Sequence, residues 1–188
     1  MAKQENNIVM KGTSGMFGGQ VVFRQRAGKT VLAAPPTIDP NREISEAEEA
    51  LRKRFKDAAR AASASLADPT VKAAYEAIAK PGQAAFNVAF TDVYYAPEIL
   101  GILTQGYAGA VGNIISVQAI DNVKVKNVKV RITTAADALI EEGNAVMDID
   151  GITWNYTATA LNVNVEGSKI IATAADLAGN ETVLEAIL

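Results

Sequence analysis

The sequence predicts an α+β protein with an N-terminal β-hairpin arm, a small helical unit of about three helices and a C-terminal antiparallel β-sandwich. Three observations predict it. Residues 21 to 33 alternate side-chain character on either side of Ala27-Gly28, as paired strands do. Residues 45 to 94 carry apolar side chains at steps of three and four, with helix start signals at Ser45 and Asp68-Pro69. From Tyr107 the period becomes two, with turn residues between short apolar runs. The expected boundaries are 1–40 for arm, hairpin and Pro-rich linker, 41–106 for the helical unit and 107–188 for the sandwich.

Composition excludes several kinds of chemistry. A chain of 188 residues, 49% hydrophobic and 21% charged, is ordinary for a folded protein. At this size it can bury roughly 70% of its unfolded surface, so neither disulfide nor metal is needed to hold it. There is no Cys and no His, which removes thiol nucleophiles, thiolate zinc sites and the commonest general base. A net charge of −3 gives phosphate backbones little to attract, and no nucleic-acid partner is expected. No cofactor is expected either. The N-terminus has no apolar core of signal-peptide length, and no run of about 18 apolar residues occurs. The expectation is synthesis in the cytoplasm without a signal peptide, no membrane insertion, and a place in a virion or other assembled particle. On that basis the sequons at Asn155 and Asn180 read as chance matches.

Residues 1 to 19 are polar and then punctuated by Gly12, Gly15, Gly18 and Gly19, and read as an arm. In the hairpin, Val21, Phe23 and Gln25 share one face, and Val22, Arg24 and Arg26 the other. Gly28-Lys29-Thr30 invites a phosphate-loop reading, which spacing rejects. The pattern needs Gly at position 23, which is Phe, and a helix after the loop. Pro35, Pro36 and Pro40 make a stiff extended linker.

The first helix starts at Ser45, with Glu48 completing a capping-box pattern and Glu46 and Glu49 adding negative charge to the first turn. Ala47, Leu51, Phe55, Ala58, Ala62 and Leu66 draw an apolar stripe along it, with Arg52, Lys53, Arg54, Lys56 and Arg60 as a solvated face. Val71, Tyr75 and Ile78 form the stripe of the second helix. Phe86, Phe90 and Val93 form that of a third, from Gln83 to Tyr94. Strands are expected at 115–120, 123–133, 145–149, 152–160, 169–175 and 182–188, with a bulge where the apolar phase slips between Val125 and Val128. Trp154 and Tyr156 fall on one face of their strand and are the expected core anchors.

Trp154-Asn155-Tyr156, Gly167, the apolar run from Ile170 and Ala175-Asp176-Leu177-Ala178-Gly179-Asn180 resemble the bacterial and phage immunoglobulin-like domains over residues 107–188. The resemblance implies an immunoglobulin-like sandwich and no particular activity. More weakly, the N-terminal half is similar to uncharacterised bacterial and prophage-encoded proteins with an "R-x-x-F-x-x-A" helix, here Arg52 to Ala58.

A lone hairpin is marginally stable in water, so the strands at 21–26 and 30–33 need a sheet to join, in this chain or in a neighbour. The expected function is therefore that of a non-enzymatic structural protein that self-assembles. Its partners would be copies of itself or other subunits of the same particle. Subunit contacts are expected at Gly18, Gly19, Val21, Val22, Phe23, Arg24, Arg26, Val31 and Leu32. Cell-surface adhesion or glycan binding is the alternative. For an enzyme only fragments are present: Asp148 and Asp150, with Glu141-Glu142 nearby. Asp148-Ile149-Asp150-Gly151 is a turn signature that lacks the further ligands of a calcium loop.

Overall fold

The computed structural model describes residues 2–4, 7, 8, 10–26, 28–37, 39 and 41–188. The expected turn at Ala27 and the linker positions Ile38 and Pro40 lie outside the described residues. The chain divides into two compact units, Met1–Glu49 and Ala50–Leu188.

In the first unit, β3 (Val21–Arg26) and β4 (Lys29–Ala33) pair antiparallel with Phe23 opposite Leu32. This hairpin has partners within the chain. β1 (Ala2–Gln4) pairs with β4 and β2 (Gly15–Phe17) with β3, giving a four-stranded sheet ordered β1-β4-β3-β2. The segment read as a polar arm thus supplies both outer strands, which at three residues each are too short for a period-two pattern to reveal. Gly18 and Gly19 link β2 to β3 with φ of 58° and 68°, and the Gln20 N–H donates to the Phe17 carbonyl at 3.2 Å. Phe17 pairs with Val21, so Gly18, Gly19 and Gln20 make the connection, and glycine adopts the two successive left-handed positions without a Cβ penalty. Lys29 and Thr30 lie in β4 and open no helix.

Helix α1 (Glu46–Ser65) starts as expected, the Glu48 N–H donating to Ser45 Oγ at 3.3 Å. α2 (Pro69–Ile78) is capped by Asp68, which accepts from the Thr70 N–H at 2.7 Å. α3 covers Ala85–Tyr94. A satellite core of Ala62, Tyr75, Val88 and Ala89 joins them. The α1 stripe is buried only at Ala58 and Ala62, while Leu51 and Phe55 stay 59% and 58% exposed. The Phe55 ring still meets those of Phe90 and Tyr94 on α3, at centroid distances of 4.7 and 6.5 Å. In α3 the phase is also rotated, with Val88, Ala89 and Asp92 buried and Phe86 outward.

Two antiparallel four-stranded sheets complete this unit in a sandwich-like arrangement. One, ordered β5-β6-β10-β9, comprises β5 (Glu98–Leu103), β6 (Ile114–Ile120), β10 (Thr153–Thr157) and β9 (Val146–Met147). The other, ordered β12-β11-β7-β8, comprises β12 (Glu181–Ile187), β11 (Lys169–Asp176), β7 (Val125–Thr133) and β8 (Leu139–Asn144). Their facing residues form one core, with Ile115 and Val117 from one sheet and Val128, Val130, Ile132 and Ile170 from the other. The chain is therefore α+β. Register shifts where Ala175 pairs with Asn127 and Asp176 with Val125, which places the expected bulge in β7.

Two strands of these two sheets were not expected. β5 precedes residue 107 and pairs with β6, so the sheet begins inside the segment read as helical. β8 reads as a loop because Glu141-Glu142-Gly143-Asn144 lacks apolar alternation, yet it pairs with β7 over its length.

Candidate functional site

The expected contact residues all lie on the N-terminal sheet. Pairing sets Phe17 opposite Val21 and Phe23 opposite Leu32, and opposite residues of antiparallel strands share a face. One face therefore carries Phe17, Val21, Phe23 and Leu32, and the other Met16, Val22 and Val31. Val31 is buried; Val21, Val22, Phe23 and Leu32 are half-buried; Arg24 and Arg26 are exposed, with Gly18 and Gly19 in the exposed turn. Met16 and Phe17, on the outer strand β2, are 61% and 74% exposed. Polar ties hold this sheet together. Gln25 Nε2 donates to the Thr13 carbonyl at 2.6 Å and to Thr30 Oγ1 at 2.9 Å, and Thr30 Oγ1 donates to the Met10 carbonyl at 3.0 Å.

Trp154 and Tyr156 lie in the sandwich core. Sequence reasoning missed what Tyr156 does there. Its hydroxyl donates to Glu141 Oε2 at 2.9 Å, and the same oxygen accepts from the Thr159 N–H, Thr159 Oγ1 and the Ala160 N–H. Burial by itself pushes the Glu141 carboxyl up, but the bonds from Thr159, Tyr156 and Ala160 outweigh it and hold the group below its ordinary value. Burial and the Glu141 charge push the Tyr156 hydroxyl up to about 12. This carboxylate ties β8 to the loop after β10. Glu142, the next residue, faces outward and bonds Lys129 Nζ at 2.9 Å. Adjacent strand residues point to opposite faces, so the two glutamates do not meet as a catalytic pair.

Asp148 and Asp150 are turn residues. Asp150 Oδ1 accepts from the Ile152 and Thr153 N–H groups, and its Oδ2 from Thr153 Oγ1. Asp148 accepts from the Ile149 N–H and from Asn155 Nδ2. Their oxygens are committed to shaping the β9–β10 connection.

A second buried carboxylate joins helices to sandwich. Tyr75 Oη donates to Asp92 Oδ2 at 2.7 Å, while Asn180 Nδ2 donates to the Asp92 carbonyl at 2.8 Å and to Asp176 Oδ2 at 2.7 Å. Asp176 Oδ1 in turn accepts from the Gly179 and Asn180 N–H groups. Burial is the main reason that the Asp92 carboxyl is pushed up to about 6. The Asp176 and Asp121 charges add to the rise, and the bonds from Tyr75 and the Ala178 backbone oppose it. Asn180, whose amide is committed here, is the sequon residue read as a chance match.

A groove of about 330 Å³ crosses the outer face of the β12-β11-β7-β8 sheet and is lined by Asn127, Lys129, Arg131, Glu142 and Thr173 among others. Among the described residues no three metal-ligating side chains converge, and no helix is long and apolar enough to cross a membrane.

No family model and no curated protein matches the chain. The crystal structure of an engineered protein is similar at 13% identity and a TM-score of 0.35, over 58% of this chain and 27% of that one. A likeness that slight carries no argument.

Proposed function

We propose that the chain is a non-enzymatic structural protein that self-assembles as a subunit of a phage-like virion or another multi-subunit particle, using its N-terminal sheet for inter-subunit contacts. The observation that carries this reading is an N-terminal sheet with apolar side chains on both faces, of which only Val31 is buried among the described apolar residues of Met1–Glu49. The outer strand β2 adds Met16 and Phe17 to the exposed surface. A sheet is stable when a second layer covers its apolar face, and a neighbouring subunit supplies such a layer. The hairpin's need for partner strands no longer supports the reading, since β1 and β2 meet it; the support comes from the faces and from the free edge of β2.

The C-terminal part is proposed as an immunoglobulin-like sandwich, a rigid body suited to a particle subunit. Its support is strand order: β5-β6-β10-β9 and β12-β11-β7-β8 correspond to A-B-E-D and G-F-C-C′ when the strands are lettered along the chain.

Size-exclusion chromatography with light scattering tests the reading. The full chain is expected in species of at least two copies, and Phe17→Lys with Leu32→Asp should shift it toward monomer with its unfolding curve retained. A chain monomeric at every concentration, with and without these changes, would overturn the proposal. Glycan binding is the alternative, favoured by the polar groove on the β12-β11-β7-β8 face. It predicts saturable binding on a glycan array that Arg131→Ala abolishes.

A further inference from the structure

An outer strand offers unpaired backbone N–H and C=O groups to any chain that can align with it, and proteins blunt such edges by shortening, bulging, charge or proline. The four outer strands of the two sandwich sheets are β5, β9, β8 and β12. β9 is only two residues long. β5 has a register shift between Ile99 and Gly101. β8 has one where it meets Ile132 and Thr133, and it also points the buried Glu141 inward. β12 is seven residues long, has no register shift against β11 and carries Glu181 and Glu185 as its charges. Its register to β11 runs unbroken from Glu181 opposite Ala175 to Ile187 opposite Lys169, and its sequence, Glu-Thr-Val-Leu-Glu-Ala-Ile, lacks lysine and proline. Val183 and Ile187 on it are 58% and 69% exposed. The other sheet approaches it at its start, where Thr182 Oγ1 donates to the Pro97 carbonyl at 2.6 Å.

We infer that β12 is a self-pairing edge, which takes the β12 strand of a second copy antiparallel about a two-fold axis at Leu184. Antiparallel pairing of a strand with itself is closed and self-complementary, so one edge serves both copies. Charge selects the register. Centring on Glu185 would set that carboxylate against its own copy, whereas centring on Leu184 sets Val183 opposite the second copy's Glu185 and Thr182 opposite its Ala186, with no like charges directly opposed. The same register puts Ile187 opposite the second copy's Glu181. Lys169, the β11 neighbour of Ile187, then lies on the same face two strands away, with the complementary sign. The inference rests on the self-assembly reading and adds to it a second contact, remote in sequence from the N-terminal sheet.

The chain contains no Cys, so single-cysteine variants report without background. Leu184→Cys places the thiols of two copies directly opposite, at a Cα separation of about 4.5–5.5 Å that suits a disulfide; Ile187→Cys does not. Under mild oxidation Leu184→Cys is expected to form a covalent dimer and Ile187→Cys to remain largely uncoupled. Val183→Glu with Ile187→Glu sets like charges opposite the second copy's Glu185 and Glu181, and should remove this contact in sedimentation velocity while the unfolding midpoint stays in place. Equal coupling of the two cysteine variants, or unchanged sedimentation of the double glutamate variant, would overturn the inference. If that happens while Phe17→Lys with Leu32→Asp still reduces assembly, the edge falls and the self-assembly reading stands. If the unmodified chain is monomeric throughout, both fall.

Discussion

The N-terminal sheet and the β12-β11-β7-β8 sheet have the same strand number and the same antiparallel pairing, yet they differ in what covers them. In the sandwich, Val128, Val130 and Ile132 of β7 and Ile170, Ala172 and Ala174 of β11 are wholly buried against the facing sheet. In the N-terminal sheet, Val21, Val22, Phe23 and Leu32 reach only half burial. Backbone pairing is satisfied in both. The difference shows that strand pairing and face burial are separate requirements, and that among the described residues the second is met more fully in the sandwich than in the N-terminal sheet. Apolar burial supplies most of the stabilisation of a sheet, so stability belongs to the sandwich, while the N-terminal sheet leaves Met16 and Phe17 exposed.

Substitutions that separate the two regions sharpen this contrast. The largest effect is expected for Trp154→Ala, which empties a core position and should cost about 3–5 kcal/mol in denaturant unfolding. The same experiment on Phe17→Ala should move stability within about 0.5 kcal/mol, because Phe17 is exposed; an equal loss at both sites would break the comparison. Gly143→Ala comes next. A Cβ there would lie 2.8 Å from the Tyr156 ring, and displacing a core aromatic that also bonds Glu141 should cost roughly 1–3 kcal/mol.

The pH dependence has a definite sign at each buried carboxylate. Asp92 keeps its proton to about pH 6 in the folded protein against 3.8 ordinarily. Its contribution is therefore full below 3.8 and lost as pH rises through about 6, a change of at most about 3 kcal/mol. Glu141 acts in the opposite sense. Its value is held below 4.5, so its contribution is present above 4.5 and lost on acidification through the folded value. Unfolding followed between pH 4.5 and 7.5 should show stability falling with rising pH in the native chain and a flatter profile in Asp92→Asn. Matching profiles would remove Asp92 as the source.

The smallest expected loss at a glycine is at the N-terminal turn. Gly18→Ala puts a Cβ on a residue with φ of 58° and should cost about 1 kcal/mol within that unit alone. A melting curve of the sandwich, followed by Trp154 fluorescence, should not shift.

Much of the fold is legible in the chain. Helix starts at Ser45 and Asp68 follow from local capping chemistry, which acts over three residues and needs no tertiary partner. The strands around Val128, Trp154 and Ile170 follow from alternation, because one face is apolar and the other wet. The strands that escaped detection are those in which a tertiary partner replaces the pattern. β8 carries a buried Glu141 that only Tyr156, Thr159 and Ala160 make tolerable, and β1 and β2 are defined by their pairing with β4 and β3. In the same way, Asp92 sits where periodicity calls for an apolar residue, and Tyr75 is its reason.

By itself the sequence determined the three helices, the hairpin and the strands with intact alternation, the Trp154 and Tyr156 anchors and the chemistry removed by the lack of Cys and His. These depend on residue identity and short-range spacing. Only the tertiary structure decided that the hairpin finds its flanking strands in its own chain, that Leu51 and Phe55 of the α1 stripe stay more than half exposed, and which sheet edges remain open. Each of those depends on what distant segments place alongside, and spacing within one segment holds no record of it.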